Sequence, residues 1–281
     1  MRIIKSIPAL RSSIKYIKTQ KKNIGFIPTM GALHEGHISL IRKSRRENDI
    51  TIISIFVNPK QFGPKEDLST YPRPEINDIL LAKKEKVDII FYPSENEMYP
   101  TSFLTSIEVD QITETLCGSM RLGHFQGVTT VVGKLLNIVT PDILYLGQKD
   151  VQQVVVLKRM VADLNFPVSV KVCPIVRESD GLAMSSRNQH LTTRQRKEAL
   201  VLYRSLRQAR KNISAGERSA TVITNLIRKQ IKNTSSGAIE YITCTDADSL
   251  IPLKHVKGRT LIALAVKFGR TRLIDNIIFR A

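Results

Sequence analysis

Apolar positions change their rhythm along this chain, and the rhythm lays out its elements. IGFIPTM (24–30) and DITIISIFVN (49–58) are near-continuous apolar runs, the first ending at Met-Gly and the second at Asn-Pro. Short runs of this kind, bounded by turn residues, read as strands buried on both faces. VDIIFYPS, PDILYLGQKD and PVSVKVCPIVR repeat the pattern. Between them HEGHISLIRKSRREN, EINDILLAKKEK and VQQVVVLKRMVADLN carry apolar residues at three- and four-residue spacing, which predicts helices. VTTVVGKLLNIV is apolar almost throughout and too long for a typical strand, so it reads as a buried helix. Ile3, Ile4, Ile7, Leu10, Ile14 and Ile17 also recur at helical spacing and predict a first helix ahead of IGFIPTM.

Strands alternating with helices predict an α/β fold: a Rossmann-like, doubly wound parallel sheet covered on both faces. The pattern changes after about residue 175. RQRKEALVLYRSLRQARKNISAG and SATVITNLIRKQIKN read as two successive helices, and Gly216 stands near the end of the first. IEYITCT, RTLIALAVKF and TRLIDNIIF follow as strands. The expected division is therefore 1–175 and 176–281, the second part a smaller α+β domain closing over the first. Ligands of such parallel sheets bind at the carboxyl ends of strands, near a switch in strand order. MGALHEGH, VNPKQFG and GQKD all fall at predicted strand ends, so three polar motifs converge on one crevice.

Composition narrows the classes. The chain has 281 residues, 42% of them hydrophobic and 24% charged, enough to bury a core. No run reaches the ~18 apolar residues of a membrane span. A net charge of +18 raises the question of nucleic acid. The basic residues are spread over the polar faces of predicted helices, Trp is absent, and no aromatic-basic interleaving occurs. The charge reads as a basic surface that attracts anionic substrates, with no nucleic-acid and no membrane partner. Cys117, Cys173 and Cys244 form no C-x-x-C pair, which points to neither a zinc knuckle nor a disulfide framework and fits a reducing, cytoplasmic setting. The first 34 residues contain no acidic residue, as transit peptides do, but their helical spacing reads as part of the fold.

Two of the five histidines, His34 and His37, stand three apart in PTMGALHEGH. On a helix they share a face. A zinc site needs three or four ligands, and no nearby His or Cys completes a set. They could be ordinary helix-start histidines. They could also face phosphate: Gly31 lets the backbone approach a ligand, the helix N-terminus offers free N–H groups, and two imidazoles add donors. Neither glycine-rich phosphate fingerprint is present. Ser185, Ser186 and Arg187 make a second donor-rich run, whose Arg could fork onto a triphosphate. Taken singly, these residues leave the readings open.

Taken together they resemble a known family. An H-x-G-H after the first strand and a late M-S-S-R are similar to the HIGH and KMSKS signatures of class I aminoacyl-tRNA synthetases and related nucleotidyltransferases. More closely, PTMGALHEGH, SIFVNPKQFG, YPR, HFQGVTTVV, GQKDVQQ and DGLAMSSRN, in that order through residues 24–190, resemble the pantothenate synthetase (pantoate-beta-alanine ligase) family. The later part matches mainly at RTRLIDN. The resemblance implies ATP-dependent condensation of (R)-pantoate with β-alanine through a pantoyl adenylate, with Mg²⁺ accompanying ATP, in a homodimer.

It also implies roles. His37, His34 and Lys149 are the expected catalytic residues. Met30, Gly31, His34, His37, Gly147, Gln148, Lys149, Asp150, Val176, Met184, Ser185, Ser186 and Arg187 are expected to face ATP. Gln61, Gln153 and Asn58 are expected at pantoate, Gln61 also at β-alanine, and residues 118–125 around the pantoyl pocket. A phosphate acceptor would favour Arg or Lys where Gln61 and Gln153 stand, which argues against a nucleotidyltransferase of the other kind. Three departures stand out: Gln148 where the family usually has Glu, Leu122 where it has Pro, and Asn77 before Asp78 where an acidic pair is common. The last leaves the protein ligands of Mg²⁺ unassigned.

Overall fold

Six parallel strands build the larger sheet of the computed structural model, which describes residues 1–64 and 66–281. In chain order the elements are β1 (Arg2–Ile4), α1 (Ile7–Thr19), β2 (Ile24–Thr29), α2 (Glu35–Glu47), β3 (Ile50–Ile55), α3 (Glu75–Lys84), β4 (Ile89–Phe91), α4 (Glu95–Met98), α5 (His124–Val139), β5 (Ile143–Gly147), α6 (Val151–Asp163) and β6 (Ser169–Cys173). The strand order is β1-β4-β3-β2-β5-β6. Order runs outward from β2 through β3 to β4, with β1 added at that edge, and from β5 to β6 in the other direction, so the switch point lies between β2 and β5. Ile24 and Phe26 of β2 pack with Leu10, Leu136 and Leu157 of α1, α5 and α6. Ile27 packs on the opposite face with Ile38, Ile41 and Ala82 of α2 and α3. Both faces are covered, as the unbroken apolar runs predict.

Two local expectations change. Ile3 and Ile4 belong to a strand: Ile3 pairs with Ile90 and Ile4 with Phe91. The helix begins only at Ile7, where Pro8 in the first turn fits a helix start but could not continue one from upstream. PVSVKVCPIVR is strand only to Cys173, because Pro174 has no N–H to give the ladder. The chain then folds back on itself. Arg177 bridges Ala183, and the Met184 N–H donates to the Val176 carbonyl at 3.0 Å.

The C-terminal part consists of α7 (Thr193–Glu198), α8 (Val201–Ser214), α9 (Ala220–Thr234) and an antiparallel sheet β7-β8-β9 (Ala238–Asp246, Arg259–Phe268, Thr271–Arg280). What reads as one helix in the sequence is two, because bonds from Leu200 N to Lys197 O and Leu202 N to Ala199 O tighten the chain between them. Leu202, Leu206, Ile223, Ile227, Ile262 and Leu264 form a core of their own. Each such burial contributes about 1.5–3 kcal/mol. A seam of Leu261 and Ala263 from β8 against Val151 and Val155 of α6 joins the two parts. Among the described residues no helix is long and apolar enough to cross a membrane. All three cysteines are free.

Candidate active site

The turn after β2 carries the first motif. Gly31 and Ala32 both adopt positive φ, at 83° and 49°, which turns successive backbone N–H groups to one side. The Asp78 carboxylate fills that concavity, accepting from Ala32 N at 2.8 Å and Leu33 N at 2.7 Å. Asp78 is 1% exposed, and burial raises its pKa against the pull of those two donors. Both its oxygens serve the turn.

The histidines follow at the start of α2. His34 is the N-cap: its Nδ1 accepts from Gly36 N at 3.1 Å, and His37 Nδ1 accepts from His34 N at 3.3 Å. This is a capping box built from imidazoles. A Cβ at position 36 would lie 2.7 Å from His34 Cε1, so any side chain there would displace the ring that folds over it. With each Nδ1 accepting, the proton of each neutral ring sits on Nε2. Burial, reinforced by the Lys149 charge, lowers the His34 pKa to about 4. Burial, then His34 and Lys149, lower His37 to about 3. Both rings are therefore neutral at pH 7, with centroids 4.2 Å apart, and each keeps one N–H donor beyond the cap.

β5 brings the second motif across the switch point. After Gly147 a tight turn, Gln148–Asp150, leads into α6, where Gln153 lies one turn in. A cavity of about 220 Å³ forms here, bordered by Met30, His34, His37, Asn58, Gln61, Gly147, Lys149, Asp150, Gln153, Val176, Met184, Ser185, Ser186 and Arg187. It adjoins a cleft of about 1120 Å³ that shares Lys149, Asp150, Gln153, Ser185 and Arg187 and reaches Tyr241 and Arg272 of the C-terminal sheet. Of the expected residues, Gly31, Gln148 and the whole of 118–125 do not border the cavity; Met120, Arg121, His124 and Phe125 of that segment border the larger cleft instead. Gly31 is buried in the turn, and Gln148 turns away, donating from Nε2 to Asn276 Oδ1 at 3.1 Å.

The amides are held in one sense. Asn58, 1% exposed, donates to Gln61 Oε1 and to the Gly127 carbonyl, both at 3.0 Å, and accepts from Tyr99 Oη at 2.8 Å. The acceptor end of Gln61 is thereby taken and its NH₂ lies against Met30 Sδ at 3.1 Å, on the cavity side. The Gln153 side chain makes no hydrogen bond among the described residues. His124 takes Arg121 Nη1 on Nε2 at 3.0 Å and donates from Nδ1 to the Gln61 carbonyl at 2.8 Å. Burial and then the Arg121 charge lower its pKa to about 4. Arg121 and His124 border the larger cleft, whereas Leu122 is exposed, so the residue at that position touches neither space.

Sequence reasoning missed the partners of the second motif. Arg187 forks onto Asp67 at 3.0 and 3.1 Å, beside the ring of Tyr71. Asp275, 1% exposed, takes a forked pair from Arg177 at 2.7 and 2.8 Å. Asn276, 2% exposed, bonds the GQKD turn. The one available signal was Asp-Asn inside the apolar run LIDNII, since a buried polar pair in a strand needs partners. Among the described residues no group of three or more His, Cys, Asp or Glu could hold a metal.

Fold and cavity define a class: an α/β protein with a parallel sheet whose polar side chains converge on one cavity at the switch point, where such sheets bind ligands. The family model described as Pantoate-beta-alanine ligase matches residues 2–278. Pantothenate synthetase of Acetivibrio thermocellus is 52% identical over 99% of each chain, and that of Moorella thermoacetica 51% over 99% of this chain and 98% of its own. The crystal structure of pantothenate synthetase from Thermus thermophilus superposes with a TM-score of 0.94 at 40% identity, covering 99% of both chains. That of pantoate-beta-alanine ligase from Francisella tularensis, complexed with beta-gamma ATP and β-alanine, gives 0.82 at 40% identity, covering 99% and 97%. The chain belongs to the pantoate-beta-alanine ligase family.

Proposed function

We propose that this chain condenses (R)-pantoate with β-alanine at the expense of ATP. In the first half a pantoate carboxylate oxygen attacks the α-phosphorus, the bond to the β-phosphate oxygen breaks, and pyrophosphate leaves. In the second, the β-alanine nitrogen attacks the acyl carbon, the bond to AMP breaks, and the proton lost from the ammonium passes to solvent or a base. The observation that carries this reading is a pair of histidines whose Nδ1 atoms accept from the start of α2, bordering one small cavity together with two glutamine amides.

Two anions must meet in the first half, so donors have to surround the α-phosphate. His34, His37 and Lys149 supply two fixed N–H groups and one positive charge, and positioning with electrostatics carries the acceleration. His37 acts as a hydrogen-bond donor rather than an acid, because its proton is already committed to a neutral ring. Gln61 donates to pantoate from the NH₂ that here lies against Met30 Sδ, Gln153 offers both ends of its amide, and Asn58 lines the pocket while holding Gln61. β-Alanine approaches on the Gln61 side. Met30, Gly147, Asp150, Val176 and Met184–Arg187 face ATP, with Arg187 exchanging Asp67 for phosphate oxygens. Gly31 and Gln148 serve by shaping their turns.

Mg²⁺ fits as an ion carried on the phosphates. The Asp78 oxygens are taken by the turn, and the exposed Asp150 is the carboxylate at the cavity that would hold it. The ion supplies neutralisation of phosphate charge. We further assign residues 1–175 and 176–281 to two domains, the second closing over the cavity, and the chain to a cytoplasmic homodimer, which light scattering tests. The decisive measurement is pantoate-dependent exchange of labelled pyrophosphate into ATP. Its absence in folded protein would overturn the proposal.

A further inference from the structure

Asn276 lies in β9, on the C-terminal sheet, yet among the described residues its side chain bonds only the turn that carries Lys149. Its Nδ2 donates to the Gln148 carbonyl at 3.1 Å and to the Lys149 carbonyl at 3.0 Å, and its Oδ1 accepts from Gln148 Nε2 at 3.1 Å. The two carbonyls belong to the peptide planes on either side of the Lys149 Cα. Fixing both planes fixes φ and ψ at that residue, and so the direction of its Cα–Cβ bond. Lys is a flexible stem with a point charge, and nothing in its own side chain sets where the charge goes. The backbone must do so.

We propose that Asn276 is a positioning residue for Lys149: a side chain of the C-terminal sheet, pinning both peptide planes around Lys149, aims its ammonium into the cavity. This rests on Lys149 being a donor to the reacting phosphate. The bland rival is that Asn276 only docks the sheet. Docking needs no buried amide, because apolar contact between Leu261, Ala263, Val151 and Val155 already joins the same surfaces. An amide that satisfies two carbonyls and one side-chain donor meets a demand set by the turn. Asp275 gives the strand a second hold: its oxygens take Arg177, whose Nη1 also donates to the Gly181 carbonyl at 3.1 Å, at the base of the loop leading to Met184–Arg187.

A double-mutant cycle on the full chain tests the proposal, read as pantoate-dependent pyrophosphate exchange with kcat and KM separated. Asn276→Ala is expected to lower kcat about 10- to 100-fold, the scale of misplacing a reacting group by about an ångström. The KM values for ATP and pantoate should change little. In a Lys149→Ala background the same substitution should cost less than about 3-fold, since the group it aims is gone. Equal losses in both backgrounds, or no loss in either, would overturn the inference while leaving the role of Lys149 intact. Near-normal exchange in Lys149→Ala alone would overturn the role of Lys149, and the inference with it. Should Asn276→Ala fail to fold, Asn276→Ser, which retains one donor, carries the same cycle.

Discussion

At the level of single residues, the imidazole nitrogens divide their labour. Nδ1 of each histidine holds the helix start, so only Nε2–H remains for substrate. A glutamine side chain can place an amide N–H near the Nε2 position, whereas asparagine reaches only the Nδ1 position. His37→Gln should therefore keep more adenylation activity than His37→Asn, measured by pyrophosphate exchange. His37→Ala, His34→Ala and Lys149→Ala should each lose about 10²-fold or more, the scale of one transition-state donor. Asparagine matching or beating glutamine would sink the tautomer assignment. Because burial lowers both histidines to about 4 and about 3, neither titrates between pH 6 and 8. The adenylation rate should be flat over that range, and an inflection near 6.5 would show a ring working as an acid. Sequence made the two histidines visible as a pair. It left their protonation open, because that depends on backbone bonds and burial.

At the level of elements, what was legible followed from period. Strands buried on both faces and helices with one apolar stripe announce themselves locally, and the switch point then brings MGALHEGH and GQKD together. β1 was hidden because Ile3 and Ile4 keep a helical spacing that Pro8 interrupts. The partners of the second motif were hidden for a different reason. Arg177 and Asp275 lie 98 residues apart, and Gln148 and Asn276 lie 128 apart. No local pattern encodes a bond across that distance. The Arg177–Asp275 pair also carries a stability prediction. Asp275 is 1% exposed, and removing its partner strands a buried charge. Arg177→Ala should destabilise the chain by about 3–5 kcal/mol in urea unfolding. Burial raises the Asp275 pKa even beside Arg177, so a loss below about 1 kcal/mol would mean that the carboxylate takes up a proton or meets water and that the fork is dispensable.

Acid stability belongs to the whole molecule. Three histidines, His34, His37 and His124, have folded pKa values lowered to about 4, 3 and 4, against about 6.5 in an unfolded chain. Between those limits the unfolded state binds more protons, so stability rises with pH. It is fully present above about 6.5 and drains away as pH falls toward 4. The carboxylates of Glu47 and Glu198, held near 2 by hydrogen bonds to their Lys, Arg and Ser partners, lose their contribution only below about 4.5. Among the groups whose folded pKa is lowered, the first loss on acidification belongs to the imidazoles, two of them in the cavity, whereas Asp78 and Asp275, whose pKa burial raises, act in the opposite sense. A net charge of +18 offers a competing cause, since each added proton increases self-repulsion. Salt separates the two. At about 1 M the screening length is ~3 Å, which suppresses long-range repulsion but leaves the desolvation of buried rings in place. Urea midpoints should fall between pH 7.5 and 5 at low and at high salt alike, and the slope should shrink when His34 and His37 are both replaced by Gln. A pH dependence that salt abolishes would assign the loss to surface charge and remove the buried histidines from the account.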